Sequence, residues 1–266
     1  MPDYFAHGLF GQMVLERLSG ALRVRLESEK TAYFLGQYGP DPMFFIFGRA
    51  RDEARAMHRA PGAVPLRRLS ESYAAGTAQS AGYLAGFLCH FLLDAACHPY
   101  ILEAAARGPL GHTAIETELD RALIARAGFR PNRDAPMVPP GLPADVCRAA
   151  SAAYEFTSPQ HYDRAYRAFC AVCRGLARAQ GTPVRAAVSG LSRLPGLAPI
   201  RGCVSGRAGD PAAQETTAAL CGRMAAAIEP AARAVTSFFD DLSAGGRPWE
   251  AVVYQTDFSG RICRAP

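Results

Sequence analysis

A polar stripe crosses the most apolar segment of this 266-residue chain. Between Ala81 and Leu102 the side chains are mostly apolar, yet His90, Asp94 and His98 recur at every fourth position. In an α-helix, residues four apart lie on one face, about one turn above each other. Because burying ionised groups without partners costs several kcal/mol each, the fold must supply something that satisfies this stripe.

The next predicted helix begins with the same spacing, in His112 and Glu116. A turn at 108–111 (Gly-Pro-Leu-Gly) should return this helix antiparallel and adjacent to the first. Taken singly, a buried histidine is usually a satisfied core residue, and an i,i+4 contact is common at a helix start. Imidazole and carboxylate groups are both zinc ligands. The two stripes together predict a cluster of divalent metal ions, above all zinc, held by His90, Asp94, His98, His112 and Glu116.

The remaining pattern is helical, since alanine and arginine are abundant while Val, Ile and Thr rarely run together. We predict helices over 8–29, 70–106, 112–127, 144–156, 158–180 and 211–243. Ser70 is the predicted N-cap of the second, and Pro99 its point of interruption. The predicted fold is a single all-α domain over 1–266, with metal-binding helices in 1–128, a proline-rich loop at 129–143, and supporting helices in 144–266 that include a flexible stretch at 181–210.

Composition and charge narrow the classes of protein. The net charge of +5 is mild and the arginines are scattered, which does not indicate a nucleic-acid-binding surface. The segment 1–7 lacks the pattern of a signal peptide, and the polar stripe would be costly inside a membrane. We therefore expect a cytoplasmic protein without a transmembrane segment. Cys170 and Cys173 share a helix face and are predicted to be core residues.

Asp41 stands between two prolines in the turn at 36–42. A rigid turn would suit a positioned base or ligand, although turns of this composition are also ordinary. His7 precedes the first predicted helix and His58 lies near the end of an arginine-rich segment at 50–59. None of these three residues indicates a site by itself.

In combination, these residues resemble the bacterial zinc-dependent phospholipase C family. The resemblance rests on His7, Gly39-Pro40-Asp41, His58, the segment 86–100 with its His-x3-Asp-x3-His, and the segment 112–121 that begins His-x3-Glu. It is closest to uncharacterised, non-secreted members, and the same fold is shared with single-strand-specific zinc nucleases. The likeness is strong over 4–121 and thin beyond, where Asp257-Phe258-Ser259-Gly260 is a weaker match.

The resemblance implies two zinc ions and at most a third. Two sites would have three protein ligands each: His58, His90 and Asp94 for one, and His98, His112 and Glu116 for the other. A third ion would share Asp94 as a bridge and take His7. Asp41 would lie beside the metals as general base or water-orienting group.

The chain departs from the secreted enzymes of that family in two respects. In those enzymes the second histidine of the central helix lies two residues further on, whereas here it is His98. This spacing indicates either a different helix geometry after Asp94 or a shifted second site. The secreted enzymes also bind one zinc through a processed N-terminal tryptophan, whereas the one tryptophan here is Trp249. Asp3 is a candidate substitute for that ligand.

The resemblance implies a hydrolase that activates water at a metal centre and splits a phosphodiester into a phosphomonoester and an alcohol. Phospholipid as the substrate follows from the family name alone. Two alternatives stay open. A nuclease or nucleotidase of the same fold would place an aromatic clamp near the metals, with Tyr38, Phe44 and Phe45 as candidates. A non-catalytic, metal-stabilised binding protein would have closed sites with four protein ligands.

Overall fold

The computed structural model describes residues 4–75, 80–131, 133–134, 136–179, 187–188, 190, 202–204 and 209–263. Its α-helices are α1 (Tyr4–Arg17), α2 (Gly20–Ser28), α3 (Lys30–Gly36), α4 (Arg49–Met57), α5 (Ala63–Ala74), α6 (Ser80–Arg107), α7 (His112–Arg126), α8 (Ala144–Ser151), α9 (Pro159–Ala179) and α10 (Gln214–Ser243). Short 3₁₀ helices lie at Asp41–Phe45, Pro211–Ala213, Pro248–Glu250 and Val252–Gln255. Within these described ranges there is no β-strand, only an isolated bridge between Thr256 and Ile262. The all-α prediction is confirmed.

Helix α6 lies at the centre of the fold. Its middle is apolar nearly all round, and it packs against α1, α3, α5, α7, α8 and α10. By length and composition, Ala81–Arg107 could cross a membrane, but 67% of its most apolar window is buried inside the protein. This burial is what a core helix requires. The helix carries the polar stripe into the interior, where His90 is fully buried.

Two helix boundaries differ from the sequence prediction. The segment 8–29 is divided between α1 and α2, because Gly20 has a φ of +64° and lets the chain change direction there. Likewise 70–106 is not one helix, and Ser70 is no N-cap: it lies inside α5 and is fully buried. Pro99 does not interrupt α6. The predictions for α7, α8, α9 and α10 agree with the structure to within a few residues.

One hydrophobic cluster extends from Tyr4 in α1 to Phe258 near the end of the described chain. It includes Cys170 and Cys173, which are buried as predicted. The division into metal-binding helices, loop and supporting helices stays a prediction. The stretch 181–210, predicted to be flexible, lies largely outside the described residues.

Helices α3 and α6 approach each other closely through glycines. A Cβ on Gly86 would collide with the backbone carbonyl oxygen of Tyr33, and one on Gly36 with that of Tyr83. At Gly82, one turn earlier in α6, the carbonyl oxygen of Glu29 would lie only 2.8 Å from an added Cβ. The obstacles are backbone atoms that cannot move aside, so the absence of side chains sets the distance between the two helices.

We expect Gly86→Ala to lower the free energy of unfolding by about 1–3 kcal/mol, because the added methyl group forces α3 and α6 apart. Gly222→Ala in α10 is the matched control, since no atom lies within 4 Å of its added Cβ. That control should raise the free energy of unfolding by about 0.5–1 kcal/mol through helix propensity. Urea denaturation of both variants measures the difference, and equal effects would contradict the close packing of α3 on α6.

Candidate metal centre

All the candidate site residues converge in the structure. His7 comes from α1, Asp41 from the 3₁₀ helix that follows α3, and His58 from the end of α4. The remaining five lie on α6 and α7: His90, Asp94, His98, His112 and Glu116. The first turn of α7 therefore faces the polar stripe of α6, as the short connection between them predicts.

The Asp94 carboxylate lies at the middle of this group. Its Oδ1 is 3.2 Å from Nε2 of His7 and 3.8 Å from Nε2 of His98, and its Oδ2 is 3.3 Å from Nε2 of His90. Burial of this carboxyl would by itself raise its pKa, but the positive charges of His98 and His90 lower the pKa below the ordinary value. Asp94 is therefore a buried anion surrounded by imidazoles.

Three of the histidines are oriented by backbone carbonyl groups. Because each Nδ1 hydrogen-bonds a carbonyl oxygen, the tautomer with a proton on Nδ1 is favoured and Nε2 is left as the ligand atom. The Nδ1 to carbonyl pairs are His90 with Gln37 at 3.1 Å, His58 with Ala54 at 3.1 Å, and His98 with Phe258 at 2.8 Å. In all three rings Nε2 faces a carboxylate. This orientation is typical of histidines that bind metal.

The potential ligand atoms fall into three groups, each with its atoms within 4.8 Å of one another. The groups are His7, His90 and Asp94; Asp41, His58 and His90; and His98, His112 and Glu116. All the donors are imidazole nitrogens or carboxylate oxygens, a set that suits zinc. Nε2 of His90 is buried and makes no hydrogen bond to any described residue, so a cation would satisfy it. The donor set therefore fits the predicted metal.

The grouping differs in part from the ligand sets that the resemblance implies. His98, His112 and Glu116 form one group, as the resemblance implies for the second zinc ion. The implied first set of His58, His90 and Asp94 is divided, because His58 lies with Asp41, whereas Asp94 lies with His7. Nε2 of His58 is 3.1 Å from Oδ1 of Asp41, which makes Asp41 a potential ligand as well as a potential base. Asp3 lies outside the described residues.

The unusual spacing of His98 has a simple structural meaning. Helix α6 continues through Pro99 without a break, so His98 stands one turn after Asp94 and faces α7. Its Nε2 is 3.4 Å from Oε1 of Glu116, which is also 2.7 Å from Nε2 of His112. Burial lowers the pKa of His98, but Asp94 and Glu116 outweigh that effect and raise it to about 10. His98 thus belongs to the group that contains His112 and Glu116.

The turn before Asp41 comes close to the ring of His90. Gly39 has a φ of +48°, and a Cβ there would collide with the imidazole. Tyr38 and Phe45, two members of the predicted aromatic clamp, point away from the centre and pack on Phe169. Tyr38 is buried, with its hydroxyl accepting a hydrogen bond from the backbone N–H of Val138. Of the three candidates, only Phe44 borders the metal centre.

A cavity of about 500 Å³ borders two of these groups, the one that contains Asp41 and His58 and the one formed by His98, His112 and Glu116. Its lining consists of Asp41, Phe44, Arg55, His58, Arg59, Asp94, His98, His112, Glu116, Phe258 and Ser259. Sequence reasoning missed both arginines, although Arg51, Arg55 and Arg59 recur at helical spacing on either side of His58. It anticipated only weakly that the segment 257–260 belongs here. The carbonyl oxygen of Phe258 holds His98, and its ring packs on that of His58 with centroids 4.9 Å apart.

A match to a known protein family, described as zinc-dependent phospholipase C, agrees with this donor set. The family model with that description matches residues 6–169, which is more than half of the chain. The chain belongs to this family. The range that matches the zinc-dependent phospholipase C model contains Asp41 and the seven histidine, aspartate and glutamate residues that converge at the centre, while Phe258 and Ser259 lie beyond it. No curated protein and no solved structure matches the chain. The resemblance read from the histidine and carboxylate spacing is confirmed.

Helix α1, which carries His7, is anchored by Asp120 from α7. The Asp120 carboxylate is buried and accepts hydrogen bonds from the backbone N–H groups of Phe5 (3.0 Å) and Ala6 (2.8 Å). These N–H groups belong to the first turn of α1 and have no acceptor within the helix. Asp120 therefore positions His7 without contacting the cavity, a role that sequence reasoning did not identify.

We expect Asp120→Ala to lower the free energy of unfolding by about 1–3 kcal/mol, because two buried N–H groups lose their acceptor. It should also weaken zinc retention, because His7 is no longer held in place. Urea denaturation and zinc titration would measure the two effects. Asp210→Ala is the matched control: its Oδ1 accepts a hydrogen bond from the N–H of Ala212 at an exposed position, and its loss should cost under about 1 kcal/mol. Equal losses in both variants would contradict the anchoring role.

Proposed function

We propose that the protein is a zinc-dependent hydrolase of phosphodiester bonds, in line with its family. The observation that carries the proposal is the orientation of His58, His90 and His98, which direct Nε2 toward carboxylates beside an open cavity. A structural zinc site is normally closed by four protein ligands, whereas each group here offers three and two of the groups border the cavity. This favours an open coordination position over the non-catalytic alternative.

In this proposal His98, His112 and Glu116 hold one zinc ion. His90 and Asp94 hold a second, together with His7 or His58. Zinc at such a centre supplies an activated water near neutral pH and stabilises the charge on the phosphoryl oxygens. The number of ions, two or at most three, is part of the proposal.

Asp41 is the proposed general base. Its carboxylate lines the cavity and is held by His58, so it can accept a proton from a water molecule in the cavity while its position stays constrained. Asp94 keeps the surrounding imidazoles oriented and its negative charge offsets that of cations at the centre. The products would be a phosphomonoester and an alcohol.

Among the alternatives within the fold, hydrolysis of a small phosphodiester is better supported than cleavage of a nucleic acid. Tyr38 and Phe45 pack on Phe169 and are not part of the cavity lining, which leaves Phe44 as the clamp candidate beside the metal centre. Phospholipid as the substrate is supported by the family description alone.

The proposal predicts that the zinc-loaded protein hydrolyses bis-p-nitrophenyl phosphate and that chelation abolishes this activity. Release of p-nitrophenol is followed before chelation, after chelation, and after zinc is restored. Single-stranded DNA is the competing substrate and should be cleaved far more slowly. If the protein retains stoichiometric zinc yet hydrolyses neither compound nor any phospholipid, the non-catalytic alternative is favoured.

A pair of isosteric variants separates ligand from base. Asp94→Asn should lose zinc and activity together, because the charge at the centre of the imidazoles is removed. Asp41→Asn should retain zinc while kcat falls by roughly 100-fold or more, the range typical of a lost general base. Elemental analysis and steady-state kinetics measure the two quantities. Loss of one zinc equivalent in Asp41→Asn would show that Asp41 is a ligand instead.

A further inference from the structure

The wall of the metal cavity carries two arginines that neutralise no carboxylate. Arg55 lies in the last turn of α4 and Arg59 lies four residues later, and both side chains are exposed where they line the cavity. Neither forms an ion pair or a side-chain hydrogen bond with any residue in the described part of the chain. The function proposed above assigns no role to either of them.

No carboxylate lies four residues before or after Arg55 or Arg59 in the sequence. Elsewhere a carboxylate four residues away commonly pairs with the guanidinium, as for Arg23 with Glu27 and Arg67 with Glu71. On α4 the residue at this spacing from Arg55 is Arg51, a like charge, and Arg59 follows in the turn after the helix. Like charges at this spacing are slightly destabilising in a helix. An anionic ligand would turn this repulsion into attraction.

The floor of the cavity, formed by the buried carboxylates and the histidines beside them, does not provide an anion for these arginines. Each of its carboxylates already lies beside a histidine Nε2: Asp41 at 3.1 Å from His58, Asp94 at 3.3 Å from His90, and Glu116 at 2.7 Å from His112. The scissile phosphate would bind at this floor, because the candidate metal ligands are there. The arginines on the wall would therefore contact a different part of the substrate.

The cavity is also poorly suited to a cationic group. A quaternary ammonium group needs a free carboxylate or an open aromatic face. The aromatic side chains in the lining are Phe44 and Phe258, and both rings pack on His58 with centroids 4.9 Å away. Two guanidinium groups at the wall would repel such a group.

We propose that Arg55 and Arg59 form a binding site for a second anionic group on the substrate, a phosphate or a carboxylate. Guanidinium groups match both anions with paired hydrogen bonds, and the end of α4 and the turn after it bring both arginines to the same cavity. The preferred substrate is then a phosphodiester that carries a negative charge beyond the scissile phosphate. This inference rests on the proposed phosphodiesterase function for its substrate, but the binding of a bisphosphate can be measured separately.

Three 4-nitrophenyl phosphodiesters test the proposal, each with a different second ester group: 2-hydroxyethyl, 2-(trimethylammonio)ethyl or 2-phosphonooxyethyl. For the zinc-loaded protein, we expect KM for the phosphonooxyethyl ester to be roughly 10-fold or more below that for the hydroxyethyl ester, with the ammonium ester the poorest substrate. The double variant Arg55→Gln, Arg59→Gln should raise KM for the phosphonooxyethyl ester by roughly 10- to 100-fold with little change in kcat. KM for the hydroxyethyl ester should change by less than about 3-fold.

Arg23→Gln is the matched control, because it removes an exposed arginine on α2 that pairs with Glu27. It should leave all three KM values unchanged. An equal change in KM for all three esters in the double variant would show a general electrostatic effect and overturn the proposal. So would an unchanged preference for the phosphonooxyethyl ester.

Calorimetry separates failure of this inference from failure of the proposed function. Zinc-loaded protein is titrated with 1,2-ethanediol bisphosphate and with the monophosphate. Tighter binding of the bisphosphate, lost in the double variant, supports the anion site even if no ester is hydrolysed. Equal binding of the two compounds, or a bisphosphate affinity that the double variant keeps, overturns it.

The same chemistry could reach the site on a lipid headgroup or on a free molecule. Mixed micelles of phosphatidylinositol 4-phosphate and of phosphatidylinositol present one lipid with and without a second phosphate. A preference for the phosphorylated lipid that depends on Arg55 and Arg59 identifies a lipid source. If only the soluble phosphonooxyethyl ester shows that dependence, the substrate is a free molecule. If neither shows it, the proposal fails.

Discussion

The buried carboxylate of Asp94 is the constraint on which the rest of the structure depends. An ionised group in the core is costly unless it is paired and hydrogen-bonded. The imidazoles of His7, His90 and His98 surround it, and each ring must be held in a fixed orientation. The carbonyl oxygens that orient two of these rings come from Gln37 and Phe258, far apart in the sequence. Distant parts of the chain therefore contribute to stabilising this one buried carboxylate.

Helix α6 has two roles that restrict each other. Its apolar faces form the centre of the core, while one face carries the stripe from His90 to His98. The glycines at 82 and 86 let α3 approach closely, and α3 leads directly into the turn that presses Gly39 against His90. Packing and site geometry thus meet in the same short stretch, so a change in helix spacing there would also shift the ligand atoms.

In the described part of the chain, the buried charged groups of the cavity are paired with one another, whereas its exposed arginines are not. The carboxylates and imidazoles of the floor lie beside one another, at 2.7–3.3 Å for Asp41 with His58, Asp94 with His90, and Glu116 with His112. The exposed Arg55 and Arg59 line the same cavity without a carboxylate partner among the described residues. Such a layout suits a floor that binds metal and a wall that selects among anions.

The sequence by itself determined the helical class and the family, and it predicted the two stripes as metal ligands, because ionisable residues at every fourth position of an apolar helix must share a buried partner. It also identified Asp41, His7 and His58, although only through resemblance. It could not determine the grouping of ligand atoms, since the placement of Asp41 with His58 depends on how the 3₁₀ helix at Asp41–Phe45 packs against α4. Nor could it identify Asp120 or the carbonyl group of Phe258 as neighbours of the site, because those contacts join residues 114 to 160 positions apart. Periodicity acts within one helix, and only the packing of helices decides which faces meet.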